Sequence, residues 1–66
     1  MQITINGQPQ SAADGVRLPA LIETLKLGAR RLAVELNGEI VPRSTWPDTL
    51  LRDGDRLEIV HAIGGG

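Results

Sequence analysis

The sequence predicts an α+β domain in which one main helix packs on one face of a mixed sheet. Three observations carry this reading. Apolar residues alternate with polar ones near both ends of the chain and in its middle, the period of a half-buried strand. One stretch alone, around residues 18–25, spaces its apolar residues at three and four, the period of a helix face. Asn-Gly and Asp-Gly pairs separate these stretches, and such pairs mark tight turns.

Met1, Ile3 and Ile5 alternate with Gln2 and Thr4 as a first strand, which Asn6-Gly7 turns into a second over about residues 8–12. Pro9 lacks the amide hydrogen that a ladder needs, so this second strand belongs at a sheet edge. Leu18, Leu21, Ile22 and Leu25 form the apolar stripe of a helix of two to three turns, with Pro19 in its first turn and Gly28 at its stop. In "RLAVELNG", Leu32, Val34 and Leu36 face one way and Arg31, Ala33 and Glu35 the other. Asn37-Gly38 leads into a short strand over residues 39–41 that Pro42 ends. The stretch "RSTWPDTLLRDGD" reads as loop, with turns at Trp46-Pro47 and Asp53-Gly54-Asp55, and residues 56–63 form the last strand. In this element order, first and last strands are expected as parallel neighbours in the middle of the sheet, the ubiquitin-like β-grasp topology. Residues 1–63 then make the domain, and residues 64–66 a flexible glycine tail.

Composition narrows the function. A chain of 66 residues buries only about 60% of its unfolded surface, which leaves little room for a catalytic cleft. With no cysteine and a single histidine, neither disulfides nor a zinc site are available, and no metal is expected to bind. Trp46 is the sole aromatic, and seven basic residues against eight acidic ones form no basic block, so nucleic-acid binding lacks both stacking platform and electrostatic footprint. The opening "MQITINGQPQ" has no basic segment followed by an apolar one, and no apolar run reaches membrane-spanning length. A cytoplasmic location without membrane association is the expectation.

Few side chains invite chemistry. His61 shares its parity with Leu57 and Ile59, and without a serine, cysteine or second histidine it reads as a packed or capping side chain that can still touch a partner. Asp53-Gly54-Asp55 lacks the rest of a calcium loop and reads as a turn. Arg30-Arg31 is a solvated pair, Arg43 a surface cation, and Trp46 a ring covering a thin core. Val60 falls on the outer face of its strand beside Ala62, which suits docking on another protein as well as it suits an ordinary exposed valine.

The ending "HAIGGG" carries more. A strand runs directly into Gly64, Gly65 and Gly66, whose unhindered carboxylate is a candidate reactive group. Three extended residues reach about 10 Å, enough to thread that carboxylate into a narrow channel of a partner where any side chain would clash. A carboxylate becomes an acyl donor only when its oxygen is made a leaving group, as adenylation by ATP does. The chain has no phosphate-cradling GxxxxGK[ST] motif, so activation is expected from a partner, with the chain as substrate or carrier and not an enzyme.

On "HAIGGG", "AVELNGEIVPRSTW" and "LRDGDRLEIV", the chain resembles over nearly its whole length the ThiS family, the sulfur carriers of thiamine thiazole biosynthesis. The related molybdopterin-synthase carriers tend to place a proline-containing segment before their final glycines, where this chain has Ala62-Ile63. The resemblance implies a cycle. An E1-like adenylating enzyme, using ATP and magnesium that this chain does not itself bind, converts the Gly66 carboxylate to an acyl-adenylate. Sulfur from a cysteine desulfurase route displaces AMP to leave a thiocarboxylate, and thiazole synthase takes that sulfur. Gly66 would react, Gly64 and Gly65 would form the threaded arm, and Val60, His61, Ala62 and Ile63 would dock. A ubiquitin-like modifier would pass the same glycine to a lysine amine, although Lys26 is the single lysine for self-linkage. A β-grasp binding module with an incidental tail is the non-chemical alternative.

Overall fold

The sheet is built from the alternation that the sequence displays. In the computed structural model, which describes residues 1–27 and 31–61, the first strand, β1 (Gln2–Ile5), and the second, β2 (Gln8–Ser11), form an antiparallel hairpin. Asn6 and Gly7 turn it with φ of 51° and 80°, the double positive-φ geometry that matches the twist of the strands. The Asn37-Gly38 turn repeats this with φ of 52° and 87° between β3 (Leu32–Leu36) and the two-residue β4 (Glu39–Ile40). The last strand, β5 (Arg56–His61), pairs parallel with β1 and antiparallel with β3, giving the order β2-β1-β5-β3-β4. This is the expected ubiquitin-like β-grasp, with Pro9 on an edge strand where its missing amide hydrogen costs no ladder bond.

One helix, α1 (Leu18–Thr24), covers the inner face. Leu18 and Leu21 are buried and Ile22 and Leu25 partly so, as their spacing requires. They meet Ile3, Val34, Leu57 and Ile59 from the strands, together with Trp46 and Leu51, in one all-apolar core. A backbone clamp fixes the start of the helix: Leu18 N–H donates to Thr49 O at 2.9 Å and Leu51 N–H to Val16 O at 3.0 Å.

Two elements depart from the expectation. The helix stops before Gly28, which lies outside the described residues: Leu25 caps it and Lys26 takes φ of 55°. A left-handed conformation costs a non-glycine residue roughly 1 to 2 kcal/mol. It is held here because both Leu25 and Leu27 pack against the core, which a straight continuation would not allow. The stretch expected as a loop with a Trp46-Pro47 turn contains a 3₁₀ helix, η1 (Arg43–Asp48). Its turns close through Thr45 N–H to Pro42 O at 2.9 Å and Thr49 N–H to Trp46 O at 3.0 Å. It swings Trp46 into the core, where the indole N–H donates to Val41 O at 2.9 Å, and Arg43 lies 5.1 Å from the ring centre.

Leu57, 1% exposed in the central strand, tests this packing. Leu57→Ala is expected to lower unfolding free energy by about 3 kcal/mol, read by urea denaturation with Trp46 emission as the reporter. A loss below about 1 kcal/mol would mean that the site collapses around the missing atoms and that β5 is not the centre of the core.

Candidate functional site

The candidate site is the far end of β5, and its character follows from how that strand divides its side chains. Leu57 and Ile59 point into the core, while Arg56, Glu58 and Val60 point outward. Val60 is 58% exposed, with exposed Ala33 directly opposite it on β3. Ile40, 75% exposed, shares this outer face, since it pairs with Glu35 and Glu35 with Glu58. The face therefore offers separated apolar side chains between charged ones. His61 keeps the parity of Leu57 and Ile59 but is exposed just beyond the rim of the core, opposite Leu32.

Ala62, Ile63, Gly64, Gly65 and Gly66, and with them the expected division between domain and tail, lie outside the described residues, as does Arg30. Of the expected docking residues, Val60 and His61 stand together at the end of β5. An open groove of about 300 Å³ beside them is lined by residues that include Ile5, Leu27, Leu32 and Ile59. Arg31 is exposed at the start of β3.

The acidic turn is spent on structure. Gln2 N–H donates to Asp53 Oδ1 at 2.7 Å, and Arg52 N–H to Asp55 Oδ2 at 2.8 Å, so these carboxylates satisfy backbone donors of the first strand and of the turn itself. Among the described residues, no group of three or more His, Cys, Asp or Glu is placed to hold a metal ion. No helix among them is long and apolar enough to cross a membrane.

The sequence reading missed the reach of two turn asparagines. Asn6 sends its side chain across to β5: its Nδ2–H donates to Ile59 O at 3.0 Å, and Ile59 N–H donates to its Oδ1 at 2.8 Å. Asn37 does the equivalent at the other end, accepting from Arg56 N–H at 2.9 Å and donating to Asp55 Oδ1 at 3.0 Å. Both positions were legible as positive-φ turn residues; which strand their amides would grip is a property of the tertiary fold.

Comparison with known proteins gives this arrangement a context. The ThiS family model matches residues 3–66. The chain is 35% identical to the sulfur carrier protein ThiS of Escherichia coli, with each chain covered in full. A crystal structure of the thiamine biosynthesis protein ThiS from Geobacter metallireducens superposes with a TM-score of 0.88 at 36% identity, again covering both chains in full. The chain is also 42% identical over all 66 residues to a thiazole synthase of Paramagnetospirillum magneticum, but it spans only 20% of that protein.

If the outer face of β5 is open to solvent, Val60→Thr, which keeps the shape of the side chain, changes unfolding free energy by no more than about 0.5 kcal/mol. A cost of about 2 kcal/mol or more, that of burying an unpaired hydroxyl, would show that Val60 is covered within the chain itself.

Proposed function

The chain belongs to the ThiS family, and we propose on that premise that it is a sulfur carrier for thiamine biosynthesis whose terminal Gly66 holds the transferred sulfur. The observation that supports this most is the family match over residues 3–66, which includes the final glycines. In this reading the folded body and the tail divide the work. The body is a recognition element with Val60 and His61 at its docking end, continued by Ala62 and Ile63. Gly64 and Gly65 are an arm without side chains, and Gly66 is the reacting residue.

The chemistry is supplied from outside. A carboxylate oxygen of Gly66 attacks the α-phosphorus of ATP on an E1-like adenylating enzyme, pyrophosphate leaves, and magnesium on that enzyme offsets the phosphate charge. The terminal sulfur of a persulfide from a cysteine desulfurase route then attacks the acyl carbon and AMP leaves, giving an acyl disulfide; a thiol of the partner attacks the far sulfur of that S–S bond, is oxidised to a disulfide, and leaves the sulfur on Gly66. The resulting thiocarboxylate is the donor to thiazole synthase. The chain itself binds no cofactor and catalyses no step; it presents one acyl group, in the cytoplasm, to successive enzymes. The absence of cysteine leaves the carried sulfur as the single thiol-like group on the protein.

Removing Gly65 and Gly66 separates presentation from folding. The truncated chain is expected to keep the Trp46 unfolding transition and to lose at least about a hundredfold in the ATP–pyrophosphate exchange it supports on the adenylating enzyme, since a carboxylate two residues short misses the reacting geometry. Exchange at the rate of the full chain would contradict the role given to Gly66.

A further inference from the structure

Between α1 and η1, which pack side by side, lies an open groove of about 430 Å³. Ile22, Leu27 and Trp46 give it an apolar wall, and the exposed Lys26 and Arg43 line it as well. The fold sets both cations in place. Lys26 takes its left-handed φ of 55° at the end of the helix, where glycine would sit without strain. Arg43 rests 5.1 Å from the centre of the Trp46 ring, and that ring is itself tied through its N–H to Val41 O. A guanidinium stacked on an aromatic face keeps its N–H groups for a carboxylate and loses less side-chain freedom on binding one. Among the described residues neither cation forms an ion pair, and Glu23 is the single carboxylate lining the groove. A chain of net charge -1 therefore carries an excess of positive charge here.

Leu27 also lines the groove beside Val60 and His61. The two grooves adjoin at that residue, so the cationic one continues toward the end of β5. We propose that the groove between α1 and η1 is a docking site for an acidic, apolar segment of the adenylating enzyme, with a carboxylate of that segment held by Arg43 and Lys26 and its apolar side chains against Ile22 and Leu27. The proposal rests on the carrier reading, which supplies that enzyme. Charge decides the occupant. The apolar wall alone accepts any apolar side chain, but two cations beside it disfavour a basic segment and favour one that brings a carboxylate. Arg43, held on its ring, offers that carboxylate paired N–H donors in a fixed plane.

Calorimetric titration of the chain into the adenylating enzyme of the same organism, repeated over a range of salt, tests this. Each variant is first shown to keep the Trp46 unfolding transition. Arg43→Gln is expected to weaken binding about tenfold and to lessen its salt dependence, and Arg43→Lys, which keeps the charge and loses the fork, to fall between. Lys26→Gly separates docking from folding. It removes the strain of the left-handed residue, so its urea midpoint is expected to rise while its affinity falls about threefold. A residue with a purely structural role would move both in the same direction. Arg52→Gln alters an exposed cation that lines neither groove and controls for net charge, with affinity expected within about twofold of the unmodified chain. Affinity within about twofold for Arg43→Gln, or an equal loss in Arg52→Gln, would overturn the docking site and leave the carrier reading standing. An enzyme that neither binds nor adenylates the unmodified chain would overturn the carrier reading, and the docking site with it.

Discussion

The parallel pairing of β1 with β5 is the constraint from which the rest of this molecule follows. Parallel strands cannot be joined by a tight turn; a crossover must carry the chain back to the same end of the sheet. Here that crossover contains the helix, β3, β4 and the 3₁₀ helix, so closing one strand pair encloses nearly every other element. The closure puts β5 between β1 and β3 with Leu57 and Ile59 against the helix layer. A domain this small has one core, and these side chains are at its centre.

Placing the last strand in the middle also decides how its end is held. An edge strand would leave the end of the chain tied on one side and prone to fray. β5 is instead braced by β3 along one side and by β1 and the Asn6 amide along the other. Its inward residues stabilise, its outward Val60 is exposed, and the described strand ends at His61. A carrier in the proposed sense needs this separation, because the acyl group must leave the body and enter another protein without disturbing the fold. Among the described residues no polar or charged residue is buried, so the core rests on apolar packing.

Much of this was legible because period and parity are local. Ile3 and Ile5, the Val34 face of β3, and the contrast between Ile59 and Val60 all follow from alternation, and the positive φ of Asn6 and Asn37 follows from the Asn-Gly pairs. Pro9 marked its own edge. What escaped depends on residues distant in sequence. Gly28 was the obvious stop by propensity, yet packing of Leu27 turned the chain at Lys26. The 3₁₀ helix around Pro47 has no apolar period and forms where Trp46 must enter the core. The grip of Asn6 on Ile59 spans more than fifty positions, and nothing near "NG" announces it. The tail was read from residue type and resemblance, as glycines display no pattern to read.

On the proposed reading, Gly66 is converted to a thiocarboxylate. That conversion is tested by treating the chain with the adenylating enzyme, ATP, a persulfide donor and a thiol reductant, alkylating, and determining the mass of the C-terminal peptide. Because the chain has no cysteine, alkylation is cleaner than the bare mass gain, which oxidation of Met1 or Trp46 would nearly match. An alkyl group on Gly66 that appears only when ATP is present is the predicted result. An unlabelled Gly66 on an intact tail, with the same enzyme preparation active on another carrier, would contradict the account.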